Sequence, residues 1–63
     1  MPIEAFLIVI QLHCAFDSGK FSNEEKLLCA ERIINCTKPD KDNPKQPSKS
    51  SIKNCLELHK PLR

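Results

Sequence analysis

Tryptophan and tyrosine are missing from this 63-residue chain, and Gly19 is its only glycine. A phosphate-cradling loop needs several glycines so that backbone N–H groups can close on an anion, and none can be built here. The only aromatic side chains are Phe6, Phe16 and Phe21, and none lies among the lysines of the carboxyl-terminal half. Single-stranded nucleic acid therefore finds nothing to stack on. Charge of one sign is also scarce: ten Lys and Arg against eight Asp and Glu leave +2, short of the basic stripe that nucleic-acid binding calls for. No apolar run reaches the ~20 residues of a bilayer span. No two cysteines stand in the tight Cys-x-x-Cys type of spacing that structural zinc usually uses, so we expect no metal.

Length sets a further bound. The chain is one small domain, residues 1–63, and a chain of this size buries only about 60% of the surface its unfolded form exposes. Such a core rarely supplies more than about 3–5 kcal/mol, so a staple is expected: disulfides, a metal or a partner chain. An enzyme also needs a scaffold large enough to hold a pocket and the groups that support it. No Ser/His/Asp set can be assembled, and His13 beside Cys14 lacks a third, orienting residue. We expect neither catalysis nor a cofactor.

What is present begins with an apolar segment. From Ile3 to Phe16 the only charged residue is Glu4. Glu4 and Gln11, seven residues apart, share one face of a helix, and Pro2 suits a first helical turn. Leu7-Ile8-Val9-Ile10 would also serve as a strand, but no other segment offers it a partner, and a lone strand has two unpaired edges. We assign a helix over 2–16. Asp17-Ser18-Gly19-Lys20 then marks a turn over 17–21, with Gly19 free to take a positive φ.

Ser22-Asn23-Glu24-Glu25 matches a capping box, and the helix it opens, 23–36, is the clearest in the chain. Leu27, Ala30, Ile33 and Ile34 are expected on its buried face, opposite Glu24, Glu31 and Asn35. Leu28 is expected to be its one exposed large apolar residue. Residues 37–50, with Pro39, Pro44 and Pro47, read as a solvated, semi-extended linker. A short helix over 51–60 follows, capped by Ser50 or Ser51. Ile52, Cys55, Leu56 and His59 form its apolar face, and Pro61 ends it. The fold class is all-α: a disulfide-stapled helical hairpin plus a short third helix after a Pro-rich linker.

The four cysteines are Cys14, Cys29, Cys36 and Cys55. Cys29 and Cys36 lie on one helix ~10 Å apart, beyond disulfide reach. Each must bond elsewhere, which leaves two of the three connectivities. A hairpin turning near Gly19 favours Cys14 with Cys29 and Cys36 with Cys55, and the second bridge would remove about 3 kcal/mol of unfolded-chain entropy. The spacing matches neither twin Cys-x₉-Cys proteins nor helical hairpins with paired Cys-x₃-Cys. Cys55 with His59 is a feasible ligand pair for zinc, but a weaker explanation than two bridges.

Two bridges imply a secreted protein or another oxidising compartment; the alternative is a cytoplasmic chain with reduced thiols. The address is unconvincing. Residues 3–16 resemble the apolar core of a signal peptide, yet Glu4 stands where a basic residue belongs and no small-x-small cleavage site follows. Cleavage near Ala15 would remove Cys14 and leave an unpaired thiol, which could join two copies into a dimer. Asn35-Cys36-Thr37 is formally a glycosylation sequon, though a bridge at its centre would hinder glycan addition.

Three functions fit this frame. The first is a secreted ligand or toxin-like effector that binds a protein partner through Leu28 with Glu24, Glu31 and Arg32, or through the basic linker. The second is an intracellular interaction module or recently arisen protein, whose first helix presents Ile3, Phe6, Leu7 and Ile10 at the spacing that grooves read. The third is a membrane-active peptide that touches lipid through its apolar amino-terminal segment. Against the third, the apolar and basic residues lie on different segments: residues 1–16 carry only Glu4, and 37–63 carry seven bases against three acids.

Overall fold

The computed structural model describes residues 1–62 and contains three helices, α1 (Ile3–His13), α2 (Asn23–Cys36) and α3 (Lys49–Leu58). The fold is all-helical, and two disulfides, Cys14–Cys29 and Cys36–Cys55, tie the helices together.

The first helix is shorter than the expected 2–16, for a local reason. Pro2 is its N-cap, in extended geometry. At the other end Ala15 takes φ +53°, in the left-handed region. Phe16 N–H then donates to the Gln11 carbonyl at 2.9 Å and Ala15 N–H to the Leu12 carbonyl at 3.4 Å. This is the Schellman closure, in which a left-handed residue lets two later N–H groups satisfy the last carbonyls of a helix. The positive φ expected at Gly19 is therefore found at Ala15, and Gly19 has an ordinary negative φ.

The second helix begins and ends as expected. Glu25 N–H donates to the Ser22 hydroxyl, and Ser22 N–H to the Glu25 carboxylate, both at 3.2 Å. At its end the Thr37 hydroxyl and N–H both donate to the Ile33 carbonyl, and Pro39 disfavours a further helical residue at Lys38. The buried face is rotated from the one expected. Cys29, Ala30 and Ile33 are buried, whereas Leu27 and Ile34 are exposed like Leu28. Leu28 is thus one of three exposed large apolar residues on α2, because the bridged Cys29 pulls the contact face toward its own side of the helix.

The linker is not a plain solvated tether. Pro39 and Pro47 pair as an isolated antiparallel bridge. Beyond it the Gln46 N–H donates to the Asn43 carbonyl at 2.9 Å, and the Asp40 side chain accepts the Asp42 N–H at 2.8 Å. This small ladder leads straight into α3, which starts two residues earlier than expected. Its cap is Ser48, whose hydroxyl accepts from Ser51 N–H. Ser51 is used differently: its hydroxyl accepts the Lys38 N–H at 3.1 Å and so ties the ladder to α3. The helix closes at Leu58, with His59 as C-cap, before Pro61 can act.

The core comprises Phe6 and Ile10 from α1, Cys14, then Cys29, Ala30 and Ile33 from α2, and Ile52 from α3, with Met1, Leu56 and Leu62 packed against it. The α2 helix contacts both neighbours. Overall dimensions are 38 × 21 × 15 Å. One cluster drawn from all three helices forms the core, and a core this small cannot cover every apolar face, which is why so much apolar surface stays outside it.

Candidate functional site

The two bridges set the frame. Their Cα–Cα distances are 5.6 Å for Cys14–Cys29 and 5.9 Å for Cys36–Cys55. Cys14, Cys29 and Cys55 are buried, and among the described residues no cysteine is free. None is available as a thiolate, so Cys55 cannot pair with His59 on a metal. No group of three or more His, Cys, Asp and Glu side chains that could hold a metal occurs among the described residues. His13 serves structure: its Nε2–H donates to the His59 carbonyl, and its own carbonyl accepts the Leu62 N–H at 3.2 Å. In the sequon, Thr37 uses its hydroxyl on the Ile33 carbonyl at 2.7 Å, and Cys36 is bridged.

Three surfaces remain. The first is the outward strip of α2. Glu24, Leu28, Glu31 and Arg32 are all exposed, and their spacing places them on one side of the helix. Leu28 is 48% exposed at the centre of two carboxylates and a guanidinium. The strip sits on the helix that holds one end of each disulfide, so its backbone is fixed before any partner arrives.

The second surface is α1. Phe6 and Ile10 are buried, so the four residues Ile3, Phe6, Leu7 and Ile10 are not displayed together in the folded chain. The exposed apolar residues are instead Ile3, Leu7, Ile8 and Leu12, each about half accessible. With them on the crest lie Glu4 and Gln11. The sequence carried a signal for this display: a segment apolar on nearly every side cannot hide all its faces in so small a core.

The third feature flanks α1 on both sides. One groove, of about 350 Å³, is lined by Ile3, Leu7 and Ile34, with Pro39 and Pro44 and the lysines Lys38 and Lys45. The other, of about 680 Å³, has Met1, Val9, Ile52 and Leu56 as its apolar lining, bordered by Lys49, Lys53 and Glu57. The lysines far along the chain thus stand beside the apolar first helix, because the Pro39–Pro47 ladder and α3 fold back against it. Sequence reasoning missed this juxtaposition, since it depends on how the linker returns.

Comparison with protein-family models, with curated proteins and with solved structures finds no match to this chain.

Proposed function

We propose that this chain is a small, disulfide-stapled helical protein that works in an oxidising compartment, as a secreted ligand or effector, by binding a protein partner. The observation that carries this reading is the outward strip of α2: Leu28, half exposed, ringed by Glu24, Glu31 and Arg32 on a helix held by both bridges. An apolar centre with a charged rim is the usual anatomy of a protein–protein contact. Cross-linking at Cys29 and Cys36 means that little conformational freedom remains to be lost on binding. The bridges support the compartment, since thiols stay reduced in the cytosol.

Two measurements test the reading. Intact mass of the natural product should rise by about 4 Da on reduction, two hydrogens per bridge; an unchanged mass overturns the oxidising compartment. Labelled, oxidised protein should bind saturably to cells of the organism that encodes it. That binding should be lost after surface proteolysis and fall by about tenfold or more in Leu28→Asp, equivalent to ~1.4 kcal/mol. Binding indifferent to proteolysis or to Leu28→Asp rejects a protein partner on this strip.

A further inference from the structure

We propose that α1, together with the lysines on either side of it, is a docking surface for an anionic lipid bilayer. This goes beyond the protein-binding reading and uses different residues. Four large aliphatic side chains, Ile3, Leu7, Ile8 and Leu12, are held half exposed on one eleven-residue helix. On one flank stand Lys38 and Lys45, and on the other Lys49 and Lys53, each pair at the edge of an apolar groove. The ridge is two apolar rows, Ile3 with Leu7 and Ile8 with Leu12, one on each side of the Glu4–Gln11 stripe and both inside the cationic margins; the rows enter the headgroup boundary while the ammonium groups meet lipid phosphates. The lysine stems can lie along the apolar surface with their heads in the polar layer.

Charge chooses the occupant. The surface carries four lysines against Glu4 and Glu57, whereas Glu24, Glu25 and Glu31 all lie on α2. A second copy seated face to face on this ridge would bring the same lysines together across a self-complementary interface, and like charges there repel. An anionic bilayer presents the opposite sign over the whole footprint. Contact is parallel to the membrane: among the described residues no helix is long and apolar enough to cross one, and α1 is only ~16 Å long. Glu4, on the crest of the ridge, limits how deeply the helix settles, because a carboxylate resists leaving water.

The test is co-sedimentation of the whole oxidised protein with pure lipid vesicles, so that its outcome is independent of any protein partner. One set is phosphatidylcholine alone and the other contains about 30 mol% phosphatidylserine. The protein should partition onto the anionic set and be released by salt, as screening requires. Each of Lys45→Ala and Lys53→Ala should weaken partitioning by about fivefold. Ile8→Asp and Leu12→Asp should each weaken it by about tenfold or more. Glu4→Gln should strengthen it, and Leu58→Asp, on an exposed part of α3 outside both grooves, should leave it unchanged. Ile8 and Leu12 lie outside the core, and retained helicity with both bridges intact shows that each variant is folded. Should Ile8→Asp fail that check, the lysine variants decide alone. Equal binding to both vesicle sets, no binding to either, or indifference to the folded variants overturns the proposal. A reversible dimer that Ile8→Asp abolishes, with no vesicle binding, assigns the ridge to a second copy and also overturns it.

Discussion

Pro39 stands opposite Pro47 in an antiparallel pair that asks nothing of either ring. The flanking bonds run from Asp40 N–H to the Gln46 carbonyl at 2.9 Å and from Ser48 N–H to the Lys38 carbonyl at 2.8 Å. The two prolines occupy the non-hydrogen-bonded site between them, where a missing N–H costs nothing. Met1 N–H adds a bond to the Pro47 carbonyl at 3.1 Å. A segment without a single large apolar residue is thereby ordered by backbone bonds, and the Cys36–Cys55 bridge closes it.

Removing that bridge should therefore be costly. The sequence separation is 19 residues, for which loop closure is worth about 3 kcal/mol in the unfolded state. In Cys36→Ala with Cys55→Ala, urea denaturation should lose about that amount, and protection of the Asp40 and Ser48 amides from hydrogen exchange should collapse with it. A loss below about 1 kcal/mol would mean that the ladder holds itself.

Ala15 gives a second prediction, resting on backbone sterics. Its left-handed φ costs an L-residue about 1–2 kcal/mol, while its fully buried methyl group returns about 0.8 kcal/mol. Ala15→Gly should consequently shift stability by less than about 1 kcal/mol, the two effects opposing. Ala15→Val adds a β-branched side chain to the same φ and overfills a closed site, and should cost more than about 2 kcal/mol. A valine variant as stable as the parent in thermal melts would show that the helix ends another way.

The rotated face of α2 supplies a third. Ile33 is 0% exposed and Leu27 is 62% exposed. Ile33→Ala should cost about 2–5 kcal/mol, as deletion of a buried aliphatic side chain does. Leu27→Ala should stay within about 0.5 kcal/mol, as surface changes generally do. Equal losses from the two substitutions, measured by chemical denaturation, would contradict this orientation.

The contrast between those two residues shows where the sequence is legible. The capping box at Ser22 and Glu25 and the bounds of α2 could be read directly, because they rest on contacts within four residues. The bridge pairing could also be read: helix geometry forbids Cys29 from meeting Cys36, which leaves two connectivities, and a hairpin turning near Gly19 favours Cys14 with Cys29. The buried face differs from the expected one by a fraction of a turn: Leu27, Ala30 and Ile34 make as good an apolar arc as Cys29, Ala30 and Ile33, and only the position of α1 and α3 decides between them. Ala15 was hidden because nothing in its chemistry favours a positive φ; the nearby Gly19 drew the expectation instead. Of the candidate surfaces, Glu24, Leu28, Glu31 and Arg32 share a face by spacing alone. The lysines beside α1 do not, since Lys38 and Lys53 reach it only through the returning linker.

The two bridges have one further property, which lies in their order along the chain. Cys14 joins Cys29 and Cys36 joins Cys55, so the two covalent loops follow one another without nesting or crossing. Neither loop has to be threaded through the other, so the two bridges can close in either order. Each removes loop-closure entropy from its own stretch of chain, with a sequence separation of 15 for the first and 19 for the second. Opening one bridge therefore releases one end of the molecule and leaves the other loop closed.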